Sequence, residues 1–208
     1  MTPAVALIVS AVSAFLLGSI PNGFLIAKAK GIDIREHGSK NIGATNVLRV
    51  LGKGCGYTVF ALDALKGAAA VLLGGFLTGW QPDHMGQIIA AISCILGHSY
   101  TPWLGFKGGK GVATTAGVLL TLFHPAVLLI VLAVWVIFFY STRFVSVASL
   151  AAALGIPLAV WFLVVRGNPQ GTPIMIFSVV VCLLVFLRHK ANIARLINGT
   201  ETRFSKKK

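Results

Sequence analysis

The segment AVALIVSAVSAFLLGSIPNGFLIA, residues Ala4–Ala27, contains no charged side chain and exceeds the roughly 20 residues that a helix needs to cross a bilayer. No cationic region precedes it and no clear cleavage site comes before Lys28, so we expect a retained span rather than a signal peptide. Of the 208 residues, 56% are hydrophobic and only 11% are charged, whereas about a quarter of a soluble domain is charged. The sequence therefore predicts an all-α, polytopic integral membrane protein.

Six further apolar runs follow the first, and several of them also reach the length of a membrane span. They cover Cys55–Gly79, Met85–Gly97, Val112–Phe123, Pro125–Tyr140, Val145–Val165 and Pro173–Leu187. Pro125 is expected to begin a new helix, because proline starts helices well and interrupts them badly. A break at this point gives seven spans, whereas one kinked helix over Val112–Tyr140 would give six.

The cations help to choose between these two counts. Eighteen Lys and Arg residues oppose five acids, for a formal charge of +13. In a soluble protein such an excess would suggest nucleic-acid binding, but here the cations fall between apolar runs and no nucleic-acid partner is expected. If the N-terminus lies outside, only Arg166 falls in an outside loop, which fits the positive-inside rule. We therefore predict seven spans, an outside N-terminus and an inside C-terminus, with Lys206–Lys208 either an anchor to anionic lipid or a disordered end.

One inside loop, GSKNIGATNVLRVLG (Gly38–Gly52), is dense in groups that bind phosphate. It offers hydroxyl groups, amides, flexible glycines and one cation, on Gly38, Ser39, Asn41, Gly43, Thr45, Asn46 and Arg49. Val47–Leu51 is expected to form a helical turn that carries Arg49. The alternative is an ordinary cytoplasmic loop, in which Gly, Ser and Asn are common turn residues. The pattern is not a P-loop, which needs GxxxxGK followed by Ser or Thr.

A second inside loop, FKGGKGVAT (residues 106–114), places Lys107 and Lys110 on either side of Gly108 and Gly109. Glycines allow successive N–H groups to converge on an anion, and the helix that follows adds its positive dipole end. The alternative is a pair of positive-inside lysines at a helix start. His98 lies at the end of the preceding run. A hydrogen-bonded structural role and a role in the site are equally consistent with its position.

Two further segments carry polar groups that need an explanation. Asp63 and Lys66 lie one helical turn apart inside an apolar run, where a bracing ion pair and a contact with a ligand are equally consistent readings. The tail RHKANIARLINGTETRF (residues 188–204) places His189 and Asn192 on one helical face, with Arg195 and Glu201 further along. Its alternative is an interfacial helix anchored by cations.

Other chemistries are excluded by the residues themselves. The three cysteines are scattered through apolar runs, so no disulfide framework, zinc site or other metal site is expected. No histidine has an aspartate five positions later, so the sequence contains no His-x4-Asp catalytic dyad. No Ser-His-acid or Cys-His constellation is evident either. A CDP-alcohol phosphotransferase would need several aspartates in one metal motif, whereas the three aspartates here are spread from 33 to 83.

Four ordered motifs together resemble one known family. GSIPNG (18–23), GSKNIGATNVLRVLG (38–52), GHSYTPWLGFKGGKGVAT (97–114) and RHKANIARLINGTE (188–201) are similar to motifs of the bacterial acyl-phosphate-dependent glycerol-3-phosphate acyltransferases, the PlsY family. The resemblance covers nearly the whole chain and implies one transmembrane acyltransferase domain over residues 1–208. It also implies a multi-pass protein of the bacterial cytoplasmic (inner) membrane whose active site faces the cytoplasm.

The resemblance implies that the acyl group of a fatty acyl phosphate moves to the 1-hydroxyl of glycerol 3-phosphate, giving lysophosphatidic acid and inorganic phosphate. No metal, no other cofactor and no obligate protein partner are expected. Because an acyl phosphate is already activated, the enzyme mainly holds two anions together, and we expect direct attack without a covalent acyl-enzyme. The alternative class is a membrane transporter of an organic phosphate.

The resemblance also assigns roles to individual residues. Ser39 and the Gly38–Gly43 backbone are expected to bind acyl phosphate, and His98 to support the loop or lie near phosphate. The predicted catalytic residues are Ser39, Arg49, Lys107, Lys110, His189 and Asn192, of which Arg49 and the two lysines bind phosphate groups. The predicted substrate-binding residues are Gly38, Asn41, Gly43, Thr45, Asn46, His98, Gly108, Gly109 and Ser146. Of these fifteen, Ser146, His189 and Asn192 are expected to orient glycerol 3-phosphate.

Overall fold

The computed structural model of the protein describes residues 1–166 and 171–204. All regular elements in these two ranges are helices, which confirms the predicted all-α class. The predicted lipid anchor at Lys206–Lys208 lies outside the described residues. The described residues form ten α-helices: α1 (Pro3–Ser19), α2 (Asn22–Ala29), α3 (Ala44–Leu51), α4 (Lys53–Thr78), α5 (Met85–Ser99), α6 (Val112–Leu122), α7 (Pro125–Thr142), α8 (Val145–Val160), α9 (Thr172–Arg188) and α10 (Lys190–Ile197).

Each of the seven apolar runs contains a helix, but the helices differ in length. In the part of the chain that the structure describes, four stretches are long and apolar enough to cross a membrane: Pro3–Ala29, Lys53–Thr78, Pro125–Thr142 and Val145–Val165. A fifth would be α9 with α10, which are bent by 57° at the break between them. The seven-span count and the orientation of the termini stay predictions. The predicted break before Pro125 is confirmed, because α6 ends at Leu122 and α7 begins at Pro125.

The chain divides into two compact units, Met1–Leu122 and Phe123–Lys208. In the first unit, α4 packs against α1, α3, α5 and α6, and α1 packs against α5. Glycines allow these helices to approach closely: a Cβ at Gly18 would contact the backbone of Cys94, and a Cβ at Gly117 would contact the backbone of Ala64. Small residues at such contacts are typical of helices packed in membranes.

In the second unit, α8 packs against both α7 and α9. Its core includes Ala153, Cys182 and Val185. The segment after α10 returns to the turn between α7 and α8, where the Phe204 N–H donates to the Arg143 carbonyl at 2.7 Å. This return brings the polar tail residues onto the start of α8.

Candidate functional site

The break between α1 and α2 exposes backbone groups that would otherwise be satisfied within a helix. Pro21 has no N–H and cannot continue α1, so the carbonyls of Ser19 and Ile20 need other partners. Lys66 Nζ donates to the Ile20 carbonyl at 2.9 Å, and Thr101 Oγ1 donates to the Ser19 carbonyl at 2.7 Å. The GSIPNG motif is therefore a junction that ties α1 to α4 and to the segment after α5.

Four side chains meet at this junction and form what we call the buried ion cluster: Asn22, Asp63, Lys66 and His98. Lys66 Nζ lies 2.9 Å from Asp63 Oδ1, and Asn22 Nδ2 donates to the same oxygen at 3.0 Å. Lys66 Nζ also lies 3.0 Å from His98 Nδ1. Asp63, Lys66 and His98 are at most 5% exposed. Of the two readings of Asp63 and Lys66 that the sequence left open, the bracing ion pair is the one observed.

The geometry of this cluster fixes the protonation of the His98 ring. An ammonium group has three hydrogens and no acceptor, so His98 Nδ1 must accept from Lys66. The distance from His98 Nδ1 to Asp63 Oδ1 is 3.7 Å, too long for a competing hydrogen bond. His98 is therefore neutral, and its hydrogen is on Nε2.

The glycine loop that follows α5 lies directly against His98. The Gly109 N–H donates to the His98 carbonyl at 3.0 Å, and the Gly108 N–H donates to the Ser99 carbonyl at 3.2 Å. A Cβ at Gly109 would contact His98 Nε2, and a Cβ at Gly108 would contact the His98 carbonyl. These two N–H groups bond α5 instead of converging on an anion as the sequence suggested. The glycines are needed here for close approach.

In the first loop, the Asn46 side chain is committed to the backbone around it. Its Oδ1 accepts from the Ser39 N–H at 2.8 Å, and its Nδ2 lies within hydrogen-bond distance of the carbonyls of Ile34, His37 and Asn41. Asn46 is 1% exposed. Its amide therefore holds the loop in shape, which differs from the substrate contact expected from the sequence.

The other polar residues of this loop divide into those that shape it and those on its surface. Asn41 Oδ1 accepts from the Gly43 N–H at 2.8 Å, and Gly38 has a φ of +58°, which favours glycine. Ser39 is exposed. Thr45 and Arg49 lie on α3, which confirms the predicted helical turn around Arg49.

A cleft of about 410 Å³ brings the two loops of the first unit together. It is lined by Asp33, Arg35, Glu36, Lys40, Ile42, Lys107 and Gly108. Two non-glycine residues in or beside it have a positive φ, Lys40 at 58° and Phe106 at 61°. Strained backbone of this kind persists where the surrounding structure holds it, and it clusters at functional sites. Ser39, Arg49 and Lys110 are not among the lining residues.

The acids of this cleft are partly neutralised within the segment between α2 and α3. Arg35 Nη2 lies 2.5 Å from Asp33 Oδ2, and Arg35 Nε donates to Asp33 Oδ1 at 2.9 Å. These hydrogen bonds from the guanidinium lower the pKa of Asp33 to about 2. Asp33 therefore stays ionised and paired at neutral pH and has no proton to exchange.

In the second unit, three donors converge on one carboxylate and form what we call the carboxylate cluster: Ser146, Asn192, Arg195 and Glu201. Ser146 Oγ and Asn192 Nδ2 donate to Glu201 Oε1 at 2.8 and 2.6 Å, and Arg195 Nε donates to Oε2 at 2.7 Å. Burial raises the pKa of Glu201, but the three hydrogen bonds together outweigh it, so that the pKa lies below its ordinary value. Asn192 Oδ1 is buried and has no hydrogen-bond partner among the described residues.

His189 lies at the bend between α9 and α10 and is 2% exposed. Its Nδ1 lies 2.8 Å from the Val185 carbonyl. A carbonyl oxygen only accepts, so Nδ1 carries a hydrogen, and Nε2 of the neutral ring is an acceptor. His189 thus presents the opposite nitrogen chemistry to His98.

Sequence reasoning selected residues that could touch a substrate and omitted those that hold them. Asn22, Asp63, Lys66 and Glu201 were absent from the predicted site, although each contacts a predicted residue or its partner. Two features of the sequence could have pointed to these residues. Asn22 lies in the GSIPNG motif, and Asp63 and Glu201 are two of only five acids in a very apolar chain. Among residues 1–166 and 171–204, no group of three His, Cys, Asp or Glu residues is placed to hold a metal ion.

Known proteins are similar to this chain in sequence and in fold along nearly its full length. A family model described as glycerol-3-phosphate acyltransferase matches residues 8–199. The glycerol-3-phosphate acyltransferase of Thermosynechococcus vestitus is 46% identical over 98% of this chain and 97% of its own length. That of Mesorhizobium japonicum is 45% identical over 97% of each chain.

Two solved structures also resemble this one. The crystal structure of PlsY (YgiH), an integral membrane glycerol 3-phosphate acyltransferase, in its glycerol 3-phosphate form has a TM-score of 0.86 at 41% identity, with 96% of both chains covered. The lysophosphatidic acid form has a TM-score of 0.83 at 41% identity, with 96% of this chain and 95% of that chain covered. The chain therefore belongs to the glycerol-3-phosphate acyltransferase family, in its integral membrane PlsY branch.

Proposed function

We propose that this protein transfers a fatty acyl group to the 1-hydroxyl of glycerol 3-phosphate and so forms lysophosphatidic acid, the first acylation of phospholipid synthesis. The observation that carries this proposal is the similarity to PlsY over 96% of this chain, in structures named for glycerol 3-phosphate and for lysophosphatidic acid. These two compounds differ by one acyl group.

We propose a fatty acyl phosphate as the donor. In the reaction, the 1-hydroxyl oxygen forms a bond to the acyl carbon, and the bond from that carbon to the phosphate oxygen breaks. The departing inorganic phosphate takes the hydroxyl proton. No covalent acyl-enzyme is needed, because the mixed anhydride is already activated. The protein then mainly positions two anions and offsets their charge.

Residue roles follow the predictions, with changes that the contacts require. Arg49, Lys107 and Lys110 bind phosphate groups, and the exposed hydroxyl of Ser39 binds acyl phosphate. Gly38, Asn41, Gly43 and Asn46 act by shaping the loop that presents Ser39. Thr45 keeps its predicted role in substrate binding.

The residues of the carboxylate cluster are proposed to act on glycerol 3-phosphate. Ser146 and Asn192 are held by Glu201, and the buried Asn192 Oδ1 remains as an acceptor for a substrate hydroxyl. His189 is proposed to help orient the same substrate.

The membrane arrangement belongs to the proposal as well. We propose one catalytic domain over residues 1–208, with seven spans, an outside N-terminus and an inside C-terminus in the bacterial cytoplasmic membrane. The active site then faces the cytoplasm. The excess of cations in the proposed inside loops supports this orientation.

The direct test is phosphate release by the purified protein supplied with palmitoyl phosphate and glycerol 3-phosphate, without added metal. We expect one lysophosphatidic acid for each phosphate released. Turnover with acyl-CoA alone would refute acyl phosphate as the donor. Loss of turnover on chelation would refute the metal-free mechanism. Glycerol 3-phosphate flux into liposomes without product would favour the transporter instead.

Arg49→Ala tests the phosphate role with Lys53→Ala as its matched control. Both cations lie near the junction of α3 and α4, and Lys53 is exposed. We expect Arg49→Ala to lower kcat by ~100-fold or more, as for loss of a charge-stabilising donor, while Lys53→Ala stays near wild type. Full activity of Arg49→Ala in folded protein would remove this residue from the site.

A further inference from the structure

The three hydrogens of the Lys66 ammonium are fully used inside the first unit. They are directed to Asp63 Oδ1 at 2.9 Å, to the Ile20 carbonyl at 2.9 Å and to His98 Nδ1 at 3.0 Å. Lys66 is 5% exposed, so this cation is not available to a substrate. Its charge is matched by Asp63, and its remaining hydrogen reaches the ring of His98.

This arrangement acts on His98 in a defined way. Because Nδ1 accepts from Lys66, the ring is neutral and its hydrogen is on Nε2. Without Lys66, either nitrogen could carry that hydrogen. The ring edge that holds Nε2 lies against Gly109, so closely that a Cβ there would contact it.

His98 is also bonded to the glycine loop through its backbone. The Gly109 N–H donates to the His98 carbonyl, and the neighbouring Gly108 N–H donates to the Ser99 carbonyl. The loop that carries Lys107 and Lys110 therefore rests on α5 at the residue that Lys66 orients. A change in the ring of His98 would be transmitted to the loop directly.

We propose that Asp63 and Lys66 are positioning residues for acyl transfer: they hold His98 as a neutral Nε2–H donor against Gly109 and so fix the lysine-bearing loop. This inference rests on the proposed function, in which Lys107 and Lys110 bind phosphate groups. Asn22 supports the arrangement by donating to the same oxygen of Asp63 at 3.0 Å.

The test is a double-mutant cycle on kcat/KM. One arm is the pair variant Asp63→Asn with Lys66→Met, which removes both charges together and leaves neither one buried alone. The other arm is His98→Gln, whose amide reaches the position of Nε2 and cannot change tautomer. We expect the pair variant to lose ~10–100-fold, the range seen when the supporting layer of a metal site is removed.

The cycle separates positioning from general support of the fold. If the pair acts through His98, its removal costs much less in the His98→Gln background than in wild type, because coupled residues are not additive. Losses that multiply, or an unchanged kcat/KM in the folded pair variant, would overturn the proposal. Gln87→Met is the matched control, because Gln87 is a buried polar residue of α5 whose Oε1 lies 3.2 Å from a different histidine, His84. It should leave kcat/KM unchanged.

A second comparison covers the case in which the pair variant does not fold. His98→Gln keeps a donor at the Nε2 position, whereas His98→Asn places its amide near the Nδ1 position. We expect His98→Gln to retain at least ~10-fold more kcat/KM than His98→Asn, and equal loss would overturn the proposal. Wild type is assayed alongside. If it turns over only with acyl-CoA, the proposed donor fails, and the same cycle is run with acyl-CoA.

Discussion

His98 and His189 are both almost fully buried, yet the two rings are held through Nδ1 in opposite ways. His98 Nδ1 accepts from the Lys66 ammonium, so this ring presents an Nε2 donor. His189 Nδ1 donates to the Val185 carbonyl, so the neutral ring presents an Nε2 acceptor. Two residues of the same type thus differ in the hydrogen-bonding character of Nε2, which is a donor in His98 and an acceptor in His189.

The acids that organise these two regions also differ. Asp63 in the buried ion cluster faces a lysine that is itself enclosed, with side-chain exposures of 3% and 4%. Glu201 in the carboxylate cluster faces Arg195, whose side chain is 37% exposed. The first region is closed on itself, while the second opens to solvent on one side. The same kind of substitution should therefore have unequal effects in the two regions.

The largest difference is expected from removal of each cation. Lys66→Met leaves Asp63 as an unpaired buried charge and should lower the free energy of unfolding by ~3–5 kcal/mol. Arg195→Met removes a partly exposed partner and should cost ~1 kcal/mol or less. Unfolding of both variants in the same detergent measures this. Equal destabilisation would show that the two clusters are not enclosed to different degrees.

The next largest effect concerns the Nε2 acceptor of His189. We expect His189→Ala to lower kcat/KM for glycerol 3-phosphate by ~100-fold, because misplacing a substrate by about 1 Å has that effect. The control is His37→Ala, since His37 is exposed in the segment between α2 and α3. Steady-state kinetics in both substrates measure the change. A loss confined to the acyl donor would contradict the assignment of His189 to glycerol 3-phosphate.

The smallest effect is a pH dependence that belongs to the carboxylate cluster. The pKa of Glu201 is lowered in the folded protein. Its ionised form therefore adds stability that is fully present above its ordinary value, about 4.5. That stability is lost as the pH falls through the lower folded pKa.

We therefore expect the unfolding midpoint of wild type to fall on acidification below about pH 4.5, and to fall less steeply in Glu201→Gln. Glu36→Gln is the control, because Glu36 is an exposed acid of the segment between α2 and α3, outside the cluster. An identical pH slope in Glu201→Gln and wild type would show that the three donors do not stabilise the carboxylate.

Much of the fold could be predicted because it depends on local patterns. Each apolar run contains a helix, and the break at Pro125 follows from the chemistry of proline. The length of each helix was harder to predict, because α5 and α6 end at loops whose position is set by tertiary contacts. Met85–Ser99 and Val112–Leu122 are consequently shorter than a typical span.

The candidate site was predicted only in part, for a physical reason. Residue type shows which side chains can bind phosphate, but not whether the protein already uses them. Asn46 has the chemistry of a ligand, yet it holds the loop backbone. Gly108 and Gly109 have the pattern of an anion nest, yet their N–H groups bond α5. These outcomes depend on how each loop folds back on nearby residues, 5 to 11 positions away, which residue type alone does not predict.

The most direct test of this account is the protonation of the two rings, measured by ¹⁵N NMR on protein labelled at histidine nitrogens, with His98→Gln and His189→Gln to assign the signals. We predict an unprotonated Nδ1 and a protonated Nε2 for His98, and a protonated Nδ1 for His189. Removal of Lys66 and Asp63 together should convert the His98 signal to a mixture of tautomers. If both rings carry their hydrogen on the same nitrogen in wild type, the distinction between the two regions is wrong.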